Sequence, residues 1–175
     1  MMDLVRIGDK VISLAKINNK AREILQHRML GLSQQEVAEK LGVERTFISR
    51  LEGVGEIRKG SSIAAIGFPI KNKAEVEAVL RAYGVEFFLL MSEEERTEYV
   101  SGCSGVQLSN NIMELINRFK SFDNVIVMGS DYRNRIAREL LDNRAIEIDI
   151  GKSPIKEDVN VNLDILTDIL TTLKG

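Results

Sequence analysis

From residue 62 onward, short apolar runs alternate with stretches of helical pattern, and this alternation constrains the fold more than any other feature of the chain. Ser62–Phe68, Val85–Met91, Asn124–Met128 and Ala145–Ile150 read as strands. Between them, residues 72–83, 92–100, 109–121 and 131–142 carry helical periodicity. A last helix places Leu163, Leu166, Ile169, Leu170 and Leu173 on one face. Several of the strands are apolar at consecutive positions, which is the pattern of a strand covered on both sides. Strands alternating with helices predict a small parallel sheet flanked by helices, a Rossmann-like α/β domain over residues 61–175.

Residues 1–56 have a different rhythm. Leu4, Ile7, Val11 and Ala15 recur at helical spacing and predict an amphipathic helix over residues 3–17, with a second from about Asn19 to Leu30. Gly31 ends that one. Ser33, with Glu36 three positions on, forms a capping-box pattern for a third helix that runs to Leu41. Gly42 breaks the third helix, Arg45 to Leu51 supplies a fourth, and Gly53, Gly55 and Gly60 mark a linker. The expected class is therefore α + α/β, an all-helical domain followed by the parallel-sheet domain.

Charge divides along the same boundary. Residues 1–60 hold 11 Lys/Arg against 8 Asp/Glu, while residues 61–175 hold 13 against 18. A basic head on an acidic body points to modules with different partners. The chain contains no uninterrupted apolar run of about 18 residues, so no membrane partner is expected. The first 20 residues carry charges throughout and lack the apolar core of a signal peptide, so a soluble cytoplasmic protein is expected. One cysteine, Cys103, and one histidine, His27, leave no material for an internal disulfide framework, a cysteine zinc site or a histidine metal cluster.

Residues 33–52 carry the functional signal. Two short helices that cross steeply need a tiny side chain at the crossing, and Ala38 supplies it. Their tight turn needs a residue that tolerates positive φ, and Gly42 supplies that. Val37, Leu41, Val43, Ile48 and Leu51 fill the wedge, so the rest of the second helix is left to face outward. Together with the Gly-Leu-Ser-Gln opening at Gly31–Gln34, this stretch resembles the helix-turn-helix of the Cro and phage-repressor family, also called the xenobiotic-response-element type. The resemblance covers about residues 19–54.

The resemblance implies reading of double-stranded DNA in the major groove by the second helix. Arg45, near its start, is the candidate for a bidentate guanine contact. Thr46 and Ser49 are candidates for base edges or phosphates, Arg50 for a phosphate, and Gln34 for clamping the DNA backbone at a helix N-terminus. Members of the family often pair an arginine seven residues before that glutamine with the glutamate that closes the second helix. Here those positions are His27 and Glu52, so a His27–Glu52 contact, shared with Arg28, is expected. A carboxylate beside the imidazole would also allow a pH switch. Glu44 departs from a purely electrostatic docking surface, since it sets a negative charge beside Arg45.

In open parallel sheets, ligands bind beyond the carboxyl ends of the strands. The segments expected there are Gly67–Lys73, Gly129–Arg133 and Gly151–Asp158. Lys71, Ser130, Arg133, Lys152 and Ser153 are the candidates to surround a small anion if the loops converge; the alternative is ordinary caps and turns. No dinucleotide or P-loop fingerprint is present, and no cofactor is expected. Asp131, Glu147, Asp149 and Lys152 raise an alternative, a DNA-targeted metal-dependent nuclease, although Lys152 lies beyond Gly151 and off the usual spacing. Cys103 has no histidine near it in sequence and reads as a spectator thiol. As a whole, with its Gly-Phe-Pro-Ile-Lys-Asn-Lys and Lys-Ser-Pro-Ile-Lys-Glu-Asp stretches, the chain resembles archaeal transcriptional regulators that join such a head to an α/β tail. The expectation is a sequence-specific, non-enzymatic, repressor-like regulator, homodimeric, with a tail that senses a small-molecule effector or holds the dimer together.

Overall fold

The computed structural model describes residues 3–57 and 62–175. The chain forms two compact units, Met1–Glu56 and Ile57–Gly175, and it mixes helices with sheet.

The first unit does not begin with a helix. Leu4–Ile7 (β1) and Lys10–Ser13 (β2) form an antiparallel hairpin in which Ile7 faces Lys10 and Val5 faces Ile12. The two residues left between them are Gly8 and Asp9, and Gly8 has φ +59°. Hairpin turns of the primed types need positive φ at their first central position, where glycine meets no steric cost. The spacing of Leu4, Ile7 and Val11 fits a helix, but Val5, Ile7, Val11 and Ile12 are β-branched and Gly8 interrupts them, so the strand pattern prevails. Helix α1 then runs over Leu14–Met29, and its N-cap Ser13 accepts a hydrogen bond from the Lys16 N–H at 3.3 Å.

Helix α2 (Gln34–Leu41) starts at the Ser33–Glu36 capping box and ends at Gly42, which is left-handed with φ +63°. Helix α3 (Arg45–Gly55) runs past Leu51 and includes Gly53 and Gly55, so these two glycines are helical and not linker; Gly60 lies outside the described residues. Ile24 of α1, Val37 and Ala38 of α2 and Ile48 of α3 form the buried core, with Leu32, Leu41, Val43 and Leu51 packed around it. Ala38, the residue expected at the α2–α3 crossing, is buried within this cluster.

The second unit is built on a four-stranded, all-parallel sheet of β3 (Ile63–Gly67), β4 (Phe87–Leu90), β5 (Asn124–Ser130) and β6 (Ala145–Gly151), in spatial order β4-β3-β5-β6. The central β5 is buried along its whole length. Helices α4 (Lys73–Ala82) and α8 (Leu163–Lys174) cover one face, where Val76, Leu80, Leu166 and Leu170 pack on Ile63, Ala65, Ile126, Met128 and Ile148. The other face carries a smaller buried cluster of Ala64, Phe119, Val125, Val127 and Leu141, beneath α6 (Gly105–Lys120) and α7 (Asp131–Leu141). A short acidic helix, α5 (Glu93–Ser101), precedes α6.

Chain order and spatial order disagree at one place. From β3 the chain moves outward to β4, then returns across β3 to β5 and continues to β6. The β3–β5 pair is thus the topological switch point, where the loops that follow the two strands diverge and leave a crevice. Gly67 and Gly129 close these strands tightly. A Cβ on Gly67 would lie 3.1 Å from Met128 Cβ, and one on Gly129 would lie 2.9 Å from Asn134 Oδ1.

Candidate DNA-facing surface and ligand pocket

In the first unit, Arg45, Thr46, Ser49 and Arg50 of α3 are all exposed, while Ile48 of the same helix is buried. Thr46 Oγ1 donates to Glu44 Oε2 at 3.2 Å, so Glu44 holds one of the candidate contact residues. Gln34 is half-buried, and its amide nitrogen donates to Glu52 Oε2 at 2.7 Å. The side chain expected to clamp the DNA backbone therefore has its amide donor engaged within the protein.

The expected His27–Glu52 contact is not formed. Arg28 takes that place: its Nε donates to Glu52 Oε1 at 2.6 Å, and its guanidinium also donates to the Leu32 carbonyl in the α1–α2 turn. The longer fork reaches across from the neighbouring helical position, while His27 Nδ1 is buried without a hydrogen-bond partner among the described residues. The hydrogen bond from Arg28, then that from Gln34, holds the Glu52 carboxyl below the usual carboxylate range. With Arg28 as the partner of Glu52, the geometric basis for a switch between His27 and Glu52 is gone.

In the second unit, part of the expected anion cluster does assemble. Ser130 Oγ and Ser153 Oγ are 2.6 Å apart. The N–H groups of Ser153 and Tyr132 each donate to Asp131 Oδ1 at 2.8 Å. These two bonds, Ser153 foremost and with Lys152 contributing, depress the Asp131 carboxyl. Donors that an anion would use are thus turned onto the protein's own carboxylate. Lys71 stands apart: it is exposed, its backbone N–H donates to Val159 O at 2.9 Å, and no described hydrogen bond or ion pair joins it to Ser130 or Ser153.

Arg133 turns the other way, toward the end of β3. Its Nη1 donates to the Phe68 carbonyl at 3.2 Å, and its guanidinium carbon lies 4.7 Å from the centre of the Phe68 ring. It makes no ion pair among the described residues. Burial, then repulsion from Arg96, lowers the affinity of Arg133 for its proton, while Glu93 opposes this. Arg96 itself is fixed by Glu93 through Nε at 3.0 Å and a second bond from Nη2.

Below Phe68 and Arg133 lies a cavity of ≈ 370 Å³, between the β3–β5 side of the sheet and α5, α6 and α7. Leu108, Ile112 and Ile116 of α6, Ile136 and Leu140 of α7, and Leu89 and Val127 of the sheet supply much of its wall. A neighbouring hollow of ≈ 400 Å³ shares Leu89, Met91, Tyr99 and Leu115 and adds Asn111, Glu114 and Arg118. Sequence reasoning did not find this cavity, because an apolar stripe on α6 reads identically whether it fills a core or lines a pocket.

The carboxylates of the nuclease reading do not converge. Glu147 accepts two hydrogen bonds from Arg138, each 2.7 Å, and Asp149 Oδ1 accepts from the Gly151 N–H at 2.9 Å. No group of three or more His, Cys, Asp or Glu side chains among the described residues is placed to hold a metal. Among the described residues, no helix is long and apolar enough to cross a membrane. Comparison with protein-family models, with curated proteins and with solved structures gave no match to the chain.

Proposed function

We propose that this chain is a sequence-specific DNA-binding transcriptional regulator whose α3 reads the major groove and whose second unit responds to a small molecule. One observation carries the reading. Four polar or basic side chains, Arg45, Thr46, Ser49 and Arg50, are exposed together on a short helix set by a left-handed glycine turn against a capped partner helix. Such a helix fits the major groove, and an arginine fork there matches the paired acceptors of guanine. The Arg28–Glu52–Gln34 network ties α1, α2 and α3 together, so α3 is presented on a braced frame.

A single head of this size buries little DNA surface, and binding as a homodimer to two half-sites is the economical way to gain affinity. The exposed apolar side chains of the hairpin support that reading. The test is selection of bound fragments from genomic DNA with the purified full chain near physiological salt. Enrichment of a two-fold symmetric site is the expected result. Weak, strongly salt-sensitive binding without a preferred sequence would overturn it.

A further inference from the structure

We infer that the cavity between the sheet and helices α5–α7 binds a small carboxylic acid with an apolar body, its carboxylate held by Arg133 and Arg96. The inference deepens the ligand-responsive part of the proposed function and rests on that reading for its regulatory meaning only.

The cavity has the dimensions of a ligand site. A volume of ≈ 370 Å³ lies within the range of small-molecule pockets. At about 30 Å³ per water-sized group, it holds on the order of a dozen non-hydrogen atoms. Its position is also that of a ligand site, since Phe68 and Gly129 stand at the carboxyl ends of the two strands that flank the switch point.

Its chemistry is one-sided. The wall is aliphatic and aromatic, and its charged side chains are Arg96 and Arg133, both cations. Glu93 supplies a single carboxylate for the two, and it is bound to Arg96. Arg133 is left with the Phe68 carbonyl and ring, held in place but without an ion pair of its own among the described residues. A ligand carboxylate at this mouth would accept a forked pair of hydrogen bonds from a guanidinium already fixed in orientation and would relieve the repulsion between the two arginines. The apolar remainder of the ligand would lie against Leu108, Ile112, Ile116 and Leu140. A neutral apolar ligand would forgo the charge contact, and a compact inorganic anion would leave the apolar wall to water.

Decanoate is the probe, with decanol, acetate and inorganic phosphate as comparisons, each titrated calorimetrically into the full chain. Saturable decanoate binding is expected, at least tenfold tighter than decanol and with no measurable heat from acetate or phosphate. Arg133→Gln should weaken decanoate tenfold or more while leaving decanol binding within twofold. Because Arg133 also holds Phe68, a second variant, Ala137→Leu, fills the cavity from α7; it should abolish decanoate binding and leave unliganded thermal stability undiminished. Equal affinity for decanoate and decanol would overturn the charge assignment, and binding of acetate or phosphate as tight as decanoate would overturn the apolar one. Absence of decanoate binding, with Ile112→Glu dissociating a dimer, would show the groove to be an interface between copies and also overturn the proposal. DNA binding is measured separately on the same samples. Decanoate binding by a chain that selects no DNA site would leave this inference standing and remove the regulator reading.

Discussion

Arg28 and Glu52 stand 24 positions apart in the chain, yet Arg28 Nε lies 2.6 Å from Glu52 Oε1, and this one contact joins the end of α1 to the middle of α3. The same guanidinium caps the Leu32 carbonyl, and the same carboxylate receives Gln34. Among the described residues, the buried core of the unit is Ile24, Val37, Ala38 and Ile48, so polar fastening adds to a small apolar cluster. Arg28→Ala should cost about 1–2 kcal/mol, because it removes charge-assisted bonds at a half-exposed site and leaves Glu52 with Gln34 alone. Chemical denaturation followed by helical circular dichroism reads this directly. A change below a few tenths of a kcal/mol would mean that the pair is a surface ornament.

The same contact has a pH signature. Glu52 titrates lower in the folded chain than its ordinary value of 4.5. A depressed folded value means that the stabilisation is fully present above the unfolded value and is lost as pH falls through the folded one. The stability of the first unit should therefore be level around neutrality and decline below about pH 4.5, and Glu52→Gln should flatten that Glu52-dependent part of the decline. Parallel denaturation series for wild type and variant across pH 3 to 7 make the comparison. Equal acid sensitivity in the two would remove Glu52 from the account.

Gly42 and Gly67 separate two reasons for glycine. At Gly42 nothing lies within 4 Å of an added Cβ, but φ is +63°. Gly42→Ala should therefore cost about 1–2 kcal/mol from backbone conformation alone, and Gly42→Asn less. At Gly67 the backbone is ordinary, but an added Cβ would meet Ile70 Cδ1 at 2.4 Å and Met128 Cβ at 3.1 Å. Ile70 can swing aside, whereas the Met128 Cβ is fixed to the neighbouring strand. Gly67→Ala should loosen the β3–β5 pair, and Ile70→Val should recover part of the loss. A double-mutant cycle on thermal stability checks the coupling.

Arg45 and Arg50 make different predictions on DNA. A base-reading arginine removed as Arg45→Ala should cost about 1–3 kcal/mol on the preferred site and relax selectivity at one base pair. Arg50→Ala, taken as a phosphate contact, should weaken all sequences alike and lower the salt slope by about one. Fluorescence anisotropy across a salt series, on preferred and scrambled duplexes, resolves the two. If both variants bind as tightly as the parent, α3 does not face DNA.

Local signals made much of the fold legible. Ser33, Glu36 and Gly42 each act within a few residues, so the bounds of α2 follow from the sequence alone, and the strand–helix alternation yields the parallel sheet. The hairpin was hidden because Leu4, Ile7 and Val11 satisfy the helical period as well as they satisfy strands, and the β-branched residues and the Gly8-Asp9 pair argue otherwise. That Arg28 would hold Glu52 without His27 was hidden because side-chain reach across helices is not a spacing. The cavity was hidden for a related reason: whether Ile112 and Leu140 meet each other or a space between them depends on how far α6 and α7 stand apart, which neither helix encodes alone.

The hairpin itself leads to the last prediction. An isolated two-stranded ribbon is marginal in water, and this one carries apolar side chains on both faces. Val5, Ile7 and Ile12 share one face, while Leu4 and Val11 share the other with Arg6 and Ser13. Leu4, Ile7 and Val11 are 54%, 61% and 62% exposed, which is high for three large apolar residues within eight positions. Side chains so placed gain stability only when another surface covers them, and a second copy of the chain would supply one with matching two-fold symmetry. Sedimentation of the full chain at micromolar concentration should therefore show a dimer. Ile7→Glu and Val11→Glu should each shift it toward monomer, and each should weaken binding to a two-half-site duplex much more than to a single half-site. A wild-type chain that sediments as a monomer, bound to DNA or free, would show that the hairpin serves some other contact.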